Sequence, residues 1–249
     1  VTTPGHSTSI TALDWPYLAE DTRLAGVLYR DEELAGTRPG IMLVHGGAGL
    51  DRHARGQAER YAALGYVVLA CDMLGDGVAG DRDRVIRTLT ALRDDPPLMV
   101  RRARAGLAAL SRCPGAGGPV AVIGFCFGGM VALALARSGE PVAGAVSIHG
   151  SLATARRAEP GMVSARVLVC HGAQDPHVPL GDVTTFAAEM DAAGADWQLV
   201  MYGGALHGFT HAGAVAGAIP GVAYHPLADS RSFADTRRFL SDVFASGPN

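Results

Sequence analysis

The chain has no lysine: all 21 of its basic residues are arginine. That absence excludes a Schiff-base or pyridoxal-phosphate lysine, a lysine-bearing phosphate loop and a Ser-Lys dyad. The four cysteines, Cys71, Cys113, Cys126 and Cys170, form no CxxC pair and no zinc spacing, and three of them end or enter apolar runs. A reduced, cytoplasmic protein is the expectation. No HExxH motif or paired histidine spacing occurs, so His45, His53, His171, His177 and His211 are read as loop and core histidines, with no metal. Val1 to His6 has neither a basic nor an apolar leader segment, which predicts no signal peptide. With a formal net charge of only −3, neither nucleic acid nor an anionic membrane is expected as a partner. No repeat or linker interrupts the 249 residues, which are 48% apolar and 18% charged, so one α/β domain over 1–249 is expected.

Charge is also missing from Gly115 to Ala136, a stretch long enough to span a bilayer. Pro119 and the glycines at 115, 117, 118, 124, 128 and 129 make a buried strand followed by a buried helix the better reading. Val120 to Ile123 is β-branched and apolar, Gly124-Phe125-Cys126-Phe127-Gly128-Gly129 is a sharp turn, and Met130 to Ala136 is rich in helix formers. A nucleophile at the apex of such an elbow needs small residues two positions to either side, here Gly124 and Gly128. The Phe127 amide would point at the same spot as the sulfur, and the helix N-terminus favours a thiolate there. By itself the hexapeptide also fits a buried core cysteine, so the decision falls to the rest of the chain.

Further apolar strands are expected at 40–45, 66–71, 142–148, 166–170 and 197–202, after two strands within 8–30. Helices are expected at 52–64, in two pieces over 82–112 broken at Pro96-Pro97, at 182–193 and at 226–244. This alternation predicts a mostly parallel sheet with helices on both faces and a site at the carboxyl ends of the strands. In such a sheet the partners of an elbow nucleophile follow in the order acid, then histidine, each on a loop after a later strand. Asp175, directly after strand 166–170, and His207, directly after strand 197–202, meet that requirement. Cys126 would attack a carbonyl carbon, His207 would move the proton and Asp175 would orient the imidazole. A backbone amide of Gly46 or Gly47 would be the second oxyanion donor beside Phe127.

Val44 to Leu50, Leu64 to Asp72, the elbow, the Asp175-Pro176 loop, His207 to His211 and Ala223-Tyr224 together resemble the dienelactone hydrolase family of the α/β-hydrolase superfamily. The resemblance covers most of the chain, and cysteine on the elbow is its most specific mark. It implies an α/β-hydrolase fold and a Cys126, Asp175, His207 triad that cleaves small esters or lactones without metal or cofactor. Two positions depart from the dienelactone-cleaving members, which carry an acid where this chain has Gly46 and a substrate-holding arginine where it has His211. The thiol of Cys126 is then expected to rest as a thiolate paired with imidazolium His207. The substrate is expected to be a neutral or differently charged ester, lactone or thioester.

Phe125, Phe209 and His211 are candidate substrate contacts, although core packing accounts equally well for the two phenylalanines. Arg82, Arg84, Arg87, Arg93, Arg101, Arg102 and Arg104 interleave with Asp81, Asp83, Asp94 and Asp95 and are read as a solvated, ion-paired surface. The glycine-rich loop 203–225 is long enough to be functional and is expected to wall the pocket. Transfer of the acyl group to an alcohol or amine, cyclisation, and ligand binding without turnover remain open as alternatives.

Overall fold

The structure is a computed structural model that describes residues 9–245; the expectation for Val1 to His6 lies outside them. Among the described residues the strands are β1 (Ile10–Ala19), β2 (Thr22–Asp31), β3 (Arg38–Val44), β4 (Val67–Cys71), β5 (Ala116–Phe125), β6 (Gly144–Ile148), β7 (Arg166–Gly172) and β8 (Trp197–Tyr202). They form one sheet in the order β1-β2-β4-β3-β5-β6-β7-β8. β1 and β2 pair antiparallel, as do β2 and β4, and every other neighbour is parallel.

Because β3 leads outward to β4 while β5 leads the other way to β6, the winding reverses between β3 and β5. The loops leaving these two strands therefore diverge and open a crevice at their carboxyl ends. Gly46 and Gly47 follow β3 and Cys126 follows β5, so the topology itself brings the expected amide donor to the expected nucleophile.

The helices are α1 (Arg52–Ala62), α2 (Arg82–Asp94), α3 (Pro96–Leu110), α4 (Phe127–Arg137), α5 (Leu180–Ala193) and α6 (Pro226–Ala245). The strands alternate their side chains between two cores. Met42, Val44 and Val122 pack with residues of α3, α4 and α5 such as Ala103, Val131 and Phe186. Ile41, Leu43 and Ile123 pack with α1 and α6 through Ala58, Tyr61 and Leu240. Among the described residues no helix is long and apolar enough to cross a membrane. The charge-free stretch is β5 followed by α4, as its glycines imply.

The expected break falls between α2 and α3: Pro96 opens α3, and the Asp95 side chain accepts from Leu98 N–H. Asp95 is thus the N-cap of α3. Within the arginine run Arg93 pairs with Asp94, Arg101 with Glu20 and Arg104 with Glu140, whereas Arg84 and the half-buried Arg102 donate to Gly77 O and Met73 O.

Among the described residues, one arginine ion pair is buried on both sides. Arg137, at the end of α4, donates from Nε and Nη2 to Glu189 of α5 at 2.9 and 2.8 Å, both side chains being about 95% covered. Arg137 also donates to Leu152 O, and Glu189 accepts from Ala158 N–H, so the pair ties the segment after β6 to two helices. Glu189→Ala is expected to cost about 3–5 kcal/mol in a urea titration, because it leaves the guanidinium buried without its partner. A loss below about 1 kcal/mol would show that the pair is not the anchor described here.

Candidate active site

Cys126 has φ 53° and ψ −113°, a strained conformation for a residue with a side chain. The crossing of β5 and α4 imposes it. A Cβ at Gly124 would fall 1.9 Å from Gly128 O, and one at Gly128 would fall 2.2 Å from Val44 O. Neither position can hold anything larger than glycine, and the turn is forced to present Cys126 at the mouth of the crevice. Its backbone N–H donates to Ile148 O at 3.0 Å, which fixes the apex against β6.

The structure brings Cys126, His207 and Asp175 together. His207 Nε2 lies 3.1 Å from Cys126 Sγ, and His207 Nδ1 donates to Asp175 Oδ2 at 2.8 Å. Asp175 is buried, and its Oδ1 accepts from His177 N–H at 2.8 Å, so the carboxylate cannot swing away. The amides of Phe127 and Gly47 both point at the sulfur. Of the two glycines expected as second donor, it is Gly47 whose amide reaches the sulfur. Gly46 instead offers its carbonyl to His45 Nδ1–H at 2.6 Å, while His45 Nε2 accepts from Met73 N–H at 2.9 Å. That buried imidazole braces the donor loop against the loop after β4.

Burial by itself would raise the Cys126 thiol, but the hydrogen bond and charge of His207, with the Phe127 and Gly47 amides, hold it below its ordinary value. Burial likewise works against a charged His207, yet Asp175 and Cys126 together push it up to about 10. Asp175 is raised by burial and lowered more by its bonds to His207 and the His177 amide, so it stays ionised. All three directions favour the thiolate–imidazolium form of the pair over the neutral one, with the two groups titrating as one unit.

Sequence reasoning missed His149. It follows β6 with φ 42°, is buried, and sets its ring edge-on to His207 at 5.4 Å and to Phe209 at 5.1 Å. Burial, then the charge of His207, keeps it neutral. Its Nε2 is 2.9 Å from Thr210 Oγ1, which is also 2.9 Å from His53 Nε2. A hydroxyl donates once, so at most one of these imidazoles accepts from Thr210 and at least one donates to it.

Of the two readings left open for Phe125 and Phe209, the structure supports core packing. Phe125 and Phe209 are 1% and 0% exposed and belong to the core beneath α1 and α6, so neither ring lines an open pocket. Strand alternation explains Phe125, whose ring falls on the face that meets His53 and His149. His211 is partly exposed, but its Nε2 is 3.2 Å from Asp51 Oδ2 and its ring stacks on His53 at 4.8 Å. Asp51, His53 and His211 thus form a three-residue cluster with metal-ligating atoms within 4.8 Å of one another. His171 is buried and shifted down by burial, and His177 Nε2 donates to Pro220 O.

The loop 203–225 folds onto itself and onto the candidate histidine. His207 N–H donates to Gly221 O, and Ala223 N–H donates to His207 O. It is absent from the lining of a cavity of about 290 Å³ that runs along α4, bounded by Met99, Met130, Ala134, Arg93 and Arg156. Cys126 does not line that cavity either.

The sequence profile described as the dienelactone hydrolase family matches residues 24–244. A solved structure named m3DLH is similar at 36% identity, covering 95% of this chain and 99% of that one, with a TM-score of 0.87. A dienelactone hydrolase-like promiscuous phosphotriesterase, P91, from metagenomic libraries is similar at 37% identity over 94% of this chain and 99% of that one, with a TM-score of 0.89. An uncharacterized Caenorhabditis elegans protein, K02A2.1, is 33% identical over 124 residues, which are 49% of this chain and 78% of its own length. The sheet order and these likenesses together make the fold that of the α/β-hydrolases.

The other cysteines are buried, with thiols pushed up by burial, Cys113 and Cys170 to about 12. Iodoacetamide at pH 7 is therefore expected to alkylate Cys126 alone, at a rate whose pH midpoint lies below the ordinary thiol value of about 8.5. A Cβ at Gly46 would meet Cys126 Cβ at 3.6 Å, an ordinary contact, so a side chain can begin there and Gly46→Glu is the variant to test. Its carboxylate would oppose the thiolate and move that midpoint up. An ordinary midpoint in the unaltered protein would contradict the ion pair.

Proposed function

The chain belongs to the dienelactone hydrolase family, a family of hydrolases, and from that premise we propose that it cleaves a small ester, lactone or thioester through an acyl-Cys126 intermediate. The observation that carries the reading is the line from Asp175 through His207 to Cys126 Sγ, at 2.8 and 3.1 Å, with two backbone amides aimed at the sulfur.

The thiolate attacks the carbonyl carbon, and the carbonyl electron pair moves to oxygen, where the Phe127 and Gly47 N–H groups receive the negative charge. When the tetrahedral adduct collapses, the C–O or C–S bond to the leaving group breaks and imidazolium His207 gives that group its proton. Acylation removes the negative sulfur that helped raise His207. The ring, now neutral, can take a proton from water as the water attacks the thioester. Collapse of the second adduct expels thiolate Cys126, and the carboxylic acid product leaves His207 protonated for the next cycle. Asp175 holds the ring in the tautomer and orientation both halves require.

The family resemblance places Gly46 and His211 where dienelactone-cleaving members have an acid and an arginine, and His211 here is engaged by Asp51. That supports a neutral or differently charged substrate over an anionic dienelactone. The similarity to the phosphotriesterase P91 favours one second reading, attack of the same sulfur on the phosphorus of a neutral phosphotriester.

With p-nitrophenyl acetate as substrate, Cys126→Ala and His207→Gln are each expected to lower kcat/KM by ~10³-fold or more. Asp175→Asn is expected to cost about 10²–10⁴-fold, through the tautomer it leaves on His207. Full activity in Cys126→Ala would refute the proposal. A neutral aryl phosphotriester run in parallel decides the second reading, which needs turnover that is lost with Cys126.

A further inference from the structure

We propose that Asp51, His53 and His211 form a binding site for a divalent metal ion of the zinc class. The three side chains come from two distant stretches of chain, and their potential ligand atoms all lie within 4.8 Å of one another. Two imidazoles and one carboxylate are a donor set that suits zinc and its first-row neighbours. Zinc bound at about 2.0–2.2 Å to each ligand needs donors roughly 3.3 Å apart, and His211 Nε2 is already 3.2 Å from Asp51 Oδ2. The rings of His53 and His211 stack at 21° with centroids 4.8 Å apart, so binding requires the rings to turn until their free nitrogens face Asp51 Oδ2.

Each ligand has a free atom where it is needed. Asp51 is the N-cap of α1, and its Oδ1 is taken by Ala54 N–H at 2.9 Å, leaving Oδ2 for the ion. His53 Nε2 is taken by Thr210 Oγ1, leaving Nδ1. Metal-bound histidines characteristically give their other N–H to such an outer partner. His211 Nδ1 is buried and makes no hydrogen bond, so turning the ring breaks none on that side. The side chains of His211 and Asp51 are 40% and 27% exposed, which gives an entry path and room for water in the remaining coordination position.

The site binds two parts of the candidate active centre to each other. Asp51 lies four residues beyond the amide donor Gly47, and His211 lies four residues beyond His207. An ion held between them would clamp the oxyanion loop and the start of α1 to the loop that carries the imidazole. It would also fix the proton on His53: with Nδ1 on the ion, Nε2–H donates to Thr210 Oγ1, which leaves the Thr210 O–H free to donate to His149 Nε2 beside His207. The ion acts as a structural clasp, and its binding does not require that Cys126 be a nucleophile.

The test is titration of Zn²⁺ into chelator-treated Cys126→Ala protein, by calorimetry and by competition with a chromophoric chelator. The Cys126→Ala background removes the thiolate that would otherwise draw zinc to His207. One Zn²⁺ per chain is expected, with a rise in Tm on binding. Asp51→Asn keeps the helix cap and His211→Gln alters a partly exposed side chain, so both are expected to fold. Each should weaken Zn²⁺ binding about tenfold or more, as should His53→Gln. No binding, or binding that Asp51→Asn and His211→Gln leave unchanged, would overturn the site.

Discussion

The crossing of β5 over α4 is the constraint from which the site follows. Two carbonyl groups, Gly128 O and Val44 O, occupy the places where side chains at 124 and 128 would begin. Only with glycine at both does the backbone close tightly enough to hold Cys126 at positive φ. The same closeness directs the Phe127 amide at the sulfur and brings the loop after β3, with Gly47, against it. Strain at one residue is stable because the sheet on one side and the helix on the other leave it no alternative.

Around this fixed point the electrostatics form a chain in which each group's state depends on the next. Buried Asp175 is kept ionised by His207 and the His177 amide, Asp175 and Cys126 raise His207, and His207 with two amides lowers Cys126. Neutral His149, packed edge-on to His207, bounds the pair without adding a competing charge. The position of Gly46 is part of this balance, since a carboxylate there would sit next to the sulfur and favour the protonated thiol. The proposed chemistry draws on the coupling: acylation removes the charge on sulfur and so changes His207 from acid to base.

Much of this was legible in the sequence because it is written locally. Glycines around Cys126, an Asp-Pro turn after one strand and a His-Gly turn after the next are each set by a few neighbouring residues, and chain order then brings them together. The break at Pro96 and the burial of the charge-free stretch were legible for the same reason. What was not legible depends on contacts between remote residues. His149 beside His207, Thr210 between two imidazoles, and the meeting of Asp51 with His211 across 160 positions leave no spacing pattern to read. The direction of a ring at a strand end or within a loop is equally nonlocal, which is why the sequence left Phe125 and Phe209 between pocket and core and the structure was needed to place them in the core. β5 also begins four residues earlier than its apolar run, at Ala116. The backbone pairs there with β3 across a register shift at Arg38 and Gly40, despite the glycines and Pro119.

The central claim, that the strained cysteine becomes acylated, is tested most directly by rapid-quench intact-mass measurement during turnover of p-nitrophenyl acetate, followed by peptide mapping. The account predicts an acetyl group on the peptide that contains Cys126, formed in the unaltered protein and absent from Cys126→Ala. Steady turnover with an unmodified Cys126 throughout, or an acetyl group on another residue that appears and disappears at the rate of turnover, would contradict it.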